Sequence, residues 1–181
     1  ENFKKAWAKG LPVVSGTTGW FAYGALHALK AQAERNDNTL LHASNFSIGV
    51  NLLFALNKYL ARIIAPFSEY KVSLSEEHHV HKLDHPSGTA ISLADEIIEE
   101  PGQSYDTWVE RTDNRIPDDT IPVECSRAGE NPGFHEVKWD SPADTITISH
   151  QAKSRDGFAL GAVLAAEWIV RQPKGKIYSL A

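Results

Sequence analysis

The stretch Ser75-Glu76-Glu77-His78-His79-Val80-His81-Lys82-Leu83-Asp84-His85-Pro86-Ser87-Gly88-Thr89-Ala90 decides how the chain is read. Just before it, Tyr70-Lys71-Val72-Ser73-Leu74-Ser75 alternates apolar and polar residues as a strand does. Just after it, Ile91, Ala94, Ile97 and Ile98 recur at helical spacing until Pro101-Gly102 stops the run near Glu99. The stretch itself is therefore the loop between a strand and a helix, and it holds four histidines and a lysine. Pro86 suits a turn or a first helical position, Ser87 or Thr89 can cap the helix, and Gly88 lets a ligand approach the backbone. A helix start of this kind favours a carboxylate or phosphate. Histidine titrates near neutrality and lysine can carry or donate a proton. Proton donors beside an anion cradle indicate an active site for an acidic small molecule.

If the strand runs on from Ser75 to Val80, His79 and His81 share one face and His78 points to the other. Lys82 then converges on His78 where strand gives way to loop, and the two can divide proton delivery and charge stabilisation. The same histidines leave a zinc reading open, with His79 and His81 as ligands and Asp84, His85, His135 or His150 completing the set. No paired-cysteine or His-Glu-x-x-His pattern accompanies them, so no residue is assigned to a metal.

Outside this stretch the chain changes character twice. At the N-terminal side, Phe3 to Lys9 reads as a helix closed by Gly10, Leu11 to Ser15 as a buried strand, and Gly16-Thr17-Thr18-Gly19 as a tight turn. A helix from about Phe21 to Glu34 and a strand at Thr39 to Ala43 follow, an alternation that suggests a parallel α/β layer. Turns after such strands line cofactor clefts, so Gly16-Thr17-Thr18-Gly19 and Asn45-Phe46-Ser47, which follows the next strand in the same way, could line one cleft edge. Val50, Leu53, Phe54, Leu60, Ala61 and Ile64 mark a long helix ended by Pro66. Beyond residue 102, four alternating segments at 107–111, 123–127, 135–139 and 145–149 predict an open, mixed and largely antiparallel sheet. A last helix spans about Phe158 to Val170.

Composition limits the function classes. The chain has 181 residues and a net charge of −5, which argues against nucleic acid as a partner. No apolar run is long enough to span a bilayer, so no membrane role is expected. The lone Cys125 excludes an internal disulfide framework and fits a reducing cytoplasm. No signal peptide is read in Glu1-Asn2-Phe3-Lys4-Lys5, and the absence of any methionine suggests an incomplete native chain.

The motif Glu77-His78-His79-x-x-Lys82-x-Asp84-x-Pro86-Ser87-Gly88-Thr89-Ala90 resembles the signature of the 4-hydroxy-tetrahydrodipicolinate reductase (dihydrodipicolinate reductase) family. Supporting matches are Gly16-Thr17-Thr18-Gly19, Ala43 to Asn51, Arg127-x-Gly129, His150-x-Ala152-x-Ser154-Arg155 and Phe158-Ala159-x-Gly161-Ala162. The resemblance implies reduction of a cyclic imine dicarboxylate by NADPH or NADH in lysine and diaminopimelate synthesis. It implies that His78 is the proton donor and Lys82 the second catalytic group. His79, Lys82, Ser87, Gly88 and Thr89 would hold the substrate carboxylates, with Arg155 adding positive charge. Gly16, Thr17, Thr18, Ala43, Ser44, Asn45 and Phe46 would border the nicotinamide.

The implied fold is α/β. Residues 1–47 and 156–181 would form a partial Rossmann-like nucleotide-binding domain, and residues 48–155 an α+β substrate and oligomerisation domain that builds a homotetramer. The family's Gly-x-x-Gly-x-x-Gly-type phosphate turn does not precede Gly16, so an N-terminally truncated reductase with weakened cofactor binding is expected. The rival readings are the zinc-dependent hydrolase built on His79 and His81, and a catalytically silent oligomerising fragment.

Overall fold

The computed structural model describes residues 2–17, 25–112 and 115–180. Those residues divide into two compact units, Glu1–Asn51 with Asp156–Ala181, and Leu52–Arg155. Thr18 and the first turns of the helix expected from Phe21 lie outside the described residues.

The first unit contains α1 (Asn2–Trp7), β1 (Val13–Ser15), α2 (Ala25–Arg35) and β2 (Leu40–His42), and closes with α5 (Asp156–Ile169) and β8 (Ile177–Ser179). Its strands form a fully parallel sheet in the order β1-β2-β8. A parallel sheet is covered on both faces, so neighbouring residues of one strand are both buried. Leu40 joins Trp7 and Ala33 on one face, while Leu41 joins Phe46, Ala165 and Ile169 on the other. The Trp7 indole donates to the Thr39 carbonyl at 3.1 Å, which ties α1 to the start of β2. Strand β8 was not anticipated, because Lys176-Ile177-Tyr178-Ser179 is too short to show a period. Its partner supplies the order: Ile177 and Tyr178 lie beside Leu40 and Leu41.

The second unit is a five-stranded sheet carrying helices on one face. Its elements are β3 (Lys71–His78), α4 (Gly88–Glu99), β4 (Thr107–Glu110), β5 (Thr120–Arg127), β6 (Phe134–Asp140) and β7 (Thr145–Gln151), together with most of α3 (Ile48–Ile64). Strand order is β4-β5-β3-β6-β7. The sheet is open and mixed as expected, and its two longest ladders are antiparallel. β4–β5 and β5–β3 are parallel, and β3–β6 and β6–β7 antiparallel. Alternation of apolar and polar residues reports a half-covered sheet and carries no information on strand direction; here the α4 crossover sets the parallel half.

Val72, Leu74, Ile121, Val123, Val137 and Trp139 of the sheet, and Leu53, Phe54, Ala61, Ala90, Leu93 and Ile97 of α3 and α4, are all buried. The buried Asn57 side chain donates to the Leu93 carbonyl at 3.0 Å and to Glu96 at 3.2 Å, joining α3 to α4. On the second face, Ser73, Ser75, Glu124, Glu136 and Lys138 border a cavity of about 160 Å³.

Within the first unit, α5 lies directly on the loop after β2. A Cβ added at Gly161 would stand 1.7 Å from the Phe46 carbonyl oxygen, so no side chain fits there. Gly161→Ala must push α5 off that loop. The substitution is expected to destabilise the protein by about 3 kcal/mol, the upper end for overpacking, read as a lowered urea midpoint.

Candidate active site

The inner face of the β3 sheet turns from apolar to ionic over one residue pair. Val72 and Leu74 are followed on the same face by Glu76 and His78, all buried. Register places Cys125 and His135 beside Glu76, and Arg127 beside His78. A carboxylate shut away from water must be paired, and every group around Glu76 serves that requirement. Arg127 Nη2 lies 3.2 Å from Oε1. The Ser87 amide donates to Oε1 at 3.1 Å and Oε2 at 3.2 Å. His78 Nδ1 and His135 Nε2 each stand 3.6 Å from Oε2. Although burial opposes it, these donors and neighbouring charges hold the carboxyl at about 2, so Glu76 is an anion at neutral pH.

Glu76 thereby positions the start of α4. Ser87 is its N-cap: the hydroxyl accepts from the Ala90 amide at 3.2 Å and also meets His135 Nε2 at 3.2 Å. The Ser87 side chain is thus committed to the helix and to His135. Gly88 and Thr89 supply the first helical amides, which by helix geometry have no carbonyl one turn back. The His85–Pro86 peptide bond is cis. Arg127 also donates to the Asp84 carbonyl at 2.5 Å, which fixes the loop in front of the cap.

His78 ends β3 with its ring 5.0 Å from that of His135, nearly edge to face. Burial depresses its imidazole to about 4; Glu76 opposes this, while His135, Lys82 and Arg127 reinforce it. His78 is neutral at pH 7. Gly133, at φ +149°, leaves the space over His78 Nε2 open, since a Cβ there would come within 3.2 Å. Lys82 Nζ pairs with Asp84 at 2.8 Å. The strand stops at His78, so His79 and His81 do not share a strand face as expected. Instead a turn closed by the Lys82 amide on the His79 carbonyl brings their rings to 5.9 Å.

The structure thus gathers His78, Lys82, Ser87, Gly88 and Thr89 around the end of β3 and the start of α4, with His79 next along the chain. Glu76, Arg127 and His135 were not assigned to this site from sequence. Glu76 had a signal: a carboxylate two residues before His78 on the buried face of a strand. Among the described residues, the clusters able to hold a metal are Glu76–His78–His135 and His85–Glu110–Cys125, and neither contains His79 or His81. The Cys125 thiol is pushed up to about 12, by burial first and then by Glu76 and Glu110, with Arg127 opposing.

In the other unit, the candidate loops follow adjacent parallel strands at their carboxyl ends. Ser15 and Thr17 hydroxyls lie 3.1 Å apart, and the Ala43 amide donates to the Ser15 carbonyl. Asn45 Oδ1 accepts from the Ser47 amide at 2.8 Å, and Asn51 donates to the Asn45 and Ser47 carbonyls at 3.1 and 2.8 Å. Gly16 and Phe46 are in ordinary contact. Gly16–Thr17 and Ala43–Phe46 thus lie at the carboxyl ends of adjacent parallel strands, the end of an open α/β sheet at which ligands bind.

The sign of the acid response follows from Glu76 and His78. His78 binds protons more readily unfolded, so stability falls as pH drops from about 6.5 through 4; Glu76 extends the loss from about 4.5 through 2. Glu76→Gln leaves Arg127 and the Ser87 amide poorly paired. It should cost about 3 kcal/mol at pH 7 and flatten the lower part of the acid limb, both read by urea unfolding across pH.

Residues 49–181 match the family model described as dihydrodipicolinate reductase, C-terminus. A 4-hydroxy-tetrahydrodipicolinate reductase of Christiangramia forsetii is 42% identical over 169 residues, covering 93% of this chain and 68% of that protein. Its counterpart from Methanopyrus kandleri is 41% identical over 182 residues, covering 99% of this chain and 65% of the relative. A solved structure, the dipicolinate-bound dihydrodipicolinate reductase from Paenisporosarcina sp. TG-14, superposes with a TM-score of 0.67 at 24% identity, covering 98% of this chain and 66% of that one. The chain therefore spans about two thirds of the length of the relatives it matches. With a family model over most of its residues and relatives above 40% identity, the chain belongs to the dihydrodipicolinate reductase family.

Proposed function

We propose that this chain acts in the NADPH- or NADH-dependent reduction of a cyclic imine dicarboxylate to tetrahydrodipicolinate, a step of lysine and diaminopimelate synthesis. The observation that carries the reading is the buried Glu76 carboxylate, which places His78 and the Ser87-capped start of α4 around one point. Relatives above 40% identity bear the name of this activity, and the Paenisporosarcina protein is a dipicolinate complex. Gly16–Thr17 and Ala43–Phe46 suit a nicotinamide because they follow adjacent parallel strands at their carboxyl ends; Thr18, assigned with them from the sequence, lies outside the described residues. A bound nicotinamide supplies the hydride.

The remaining chemistry falls to side chains. Hydride addition to a conjugated imine leaves an electron-rich ring bearing two carboxylates, and that ring must gain one proton. Lys82 and the first amides of α4 offset the carboxylate charge, with His79 at the rim, and this clamp orients the reacting carbon. His78 supplies the proton. Its imidazole is neutral in the ligand-free site, held down mainly by burial. A dianion arriving beside it reverses the balance of neighbouring charge, raises its proton affinity and loads it as the acid only when substrate is present. The zinc-hydrolase alternative lacks its third ligand among the described residues. A homotetramer formed through the polar second face of the five-stranded sheet, and a cytoplasmic location, complete the proposal; among the described residues no helix is long and apolar enough to cross a membrane.

Titration with pyridine-2,6-dicarboxylate tests the cradle by calorimetry. Binding should weaken at least tenfold in His79→Ala and in Thr89→Ala. It should tighten as pH falls from 8 to 6, with proton uptake that His78→Gln abolishes. No binding at millimolar ligand would sink the reading. In a preparation competent for turnover, His78→Gln should lower kcat roughly 10²- to 10⁴-fold with little change in substrate affinity; an unchanged kcat removes His78 from the mechanism.

A further inference from the structure

Cys125, Glu110 and His85 are far apart in sequence and take no part in the proposed reaction. The fold brings them together. Cys125 sits in β5, Glu110 ends the neighbouring parallel strand β4, and His85 lies in the loop that leads to the cap of α4. A ring nitrogen of His85, a carboxylate oxygen of Glu110 and the Cys125 sulfur all lie within 4.8 Å of one another. His85 Nδ1 and Glu110 Oε1 are already 3.4 Å apart. Nitrogen, oxygen and sulfur around a tetrahedral zinc ion stand about 3.5 Å apart, so small side-chain rotations complete the triangle.

We propose that His85, Glu110 and Cys125 form a site for a zinc-class divalent cation, with the fourth position open to water.

The donor set selects the ion class. One thiolate, one imidazole and one carboxylate suit zinc and its neighbours, whereas magnesium and calcium take oxygen ligands. His85 and Glu110 are partly exposed and Cys125 is half-buried, which leaves a path for the ion and room for a water. The carboxylates of Glu76 and Glu110 both lie near enough to act on the half-buried sulfur, with Arg127 opposing them. The second cluster, Glu76–His78–His135, is excluded on the same grounds. Its carboxylate already accepts from the Ser87 amide on both oxygens and faces Arg127 at 3.2 Å, so its lone pairs are engaged and a positive charge occupies the approach. Coordination at Cys125 releases the thiol proton to solvent, one per ion bound. Because His85 immediately precedes Pro86 and Ser87, the ion would tie the anion cradle to β4 and β5.

Cobalt(II) titration of the tag-free full chain tests this directly. Binding of one ion per chain should bring a near-ultraviolet sulfur-to-cobalt charge-transfer band, and zinc should displace it. Cys125→Ser should abolish the band, and His85→Asn and Cys125→Ser should each weaken zinc at least tenfold by calorimetry. His81→Ala, which removes the exposed ring of the neighbouring histidine cluster, should leave the band intact. Far-ultraviolet circular dichroism shows whether each variant is folded, and the band of the unsubstituted chain stands whether or not a variant folds. Cobalt binding without the band, zinc affinity unchanged in Cys125→Ser, or no binding at micromolar metal overturns the proposal.

Discussion

A buried carboxylate must itself be paired, and in this protein the one at Glu76 dictates much of what surrounds it. Its oxygens lie at the junction of β3, β5, β6 and α4: Arg127 of β5 and the Ser87 amide of the helix cap donate to them, and the rings of His78 from β3 and His135 from β6 stand 3.6 Å away. Removing any one of these leaves charge or dipole stranded away from water, which costs more than the pairing returns. The arrangement is therefore best understood as a device for geometric definition. It holds a proton-carrying ring and a helix start in fixed relation without using the loop between them as a hinge.

The same field explains a tension at His78. A general acid should carry its proton near the working pH, yet this ring sits among Lys82, Arg127 and His135 and is largely shielded from solvent. Glu76 offsets only part of that. Burial does most to strip His78 of its proton, and Lys82 and Arg127, cations suited to attract an acidic ligand, add to it. In the proposed reaction a bound dicarboxylate would offset the neighbouring positive charge and so raise the proton affinity of His78.

Much of the fold was legible because the dominant signals are local. The α3 and α4 boundaries follow from apolar spacing and from Pro66, Ser87 and Pro101, and the strands of the second unit from alternation. Strand direction was not legible, because a half-covered sheet alternates in the same way whichever way its neighbours run. Nor was β8, whose three residues are strand only through their pairing with β2. Within the site, His78, Lys82 and the Ser87–Thr89 turn stand out by chemistry and proximity in the chain. Arg127 and His135 do not, since their roles arise from register with Glu76 across two strand pairs. The His85–Glu110–Cys125 cluster is a stronger case: no two members are closer than 15 residues, and spacing rules for metal ligands never bring them together.

The three-stranded sheet of the first unit has a consequence for how the protein is made. β1 and β2 precede the second unit in the sequence, but their third partner is Ile177–Ser179, and the covering helix is Asp156–Ile169. The second unit is one uninterrupted stretch between them, so all of its strand partners are translated before the first unit can be completed. Domains fold as units while the chain grows, and closing long loops is slow. The order of assembly is thus inverted relative to the order of the sequence: the second unit can fold while Leu40 and Leu41, buried on opposite faces in the finished sheet, still await a partner strand that lies beyond it in the chain.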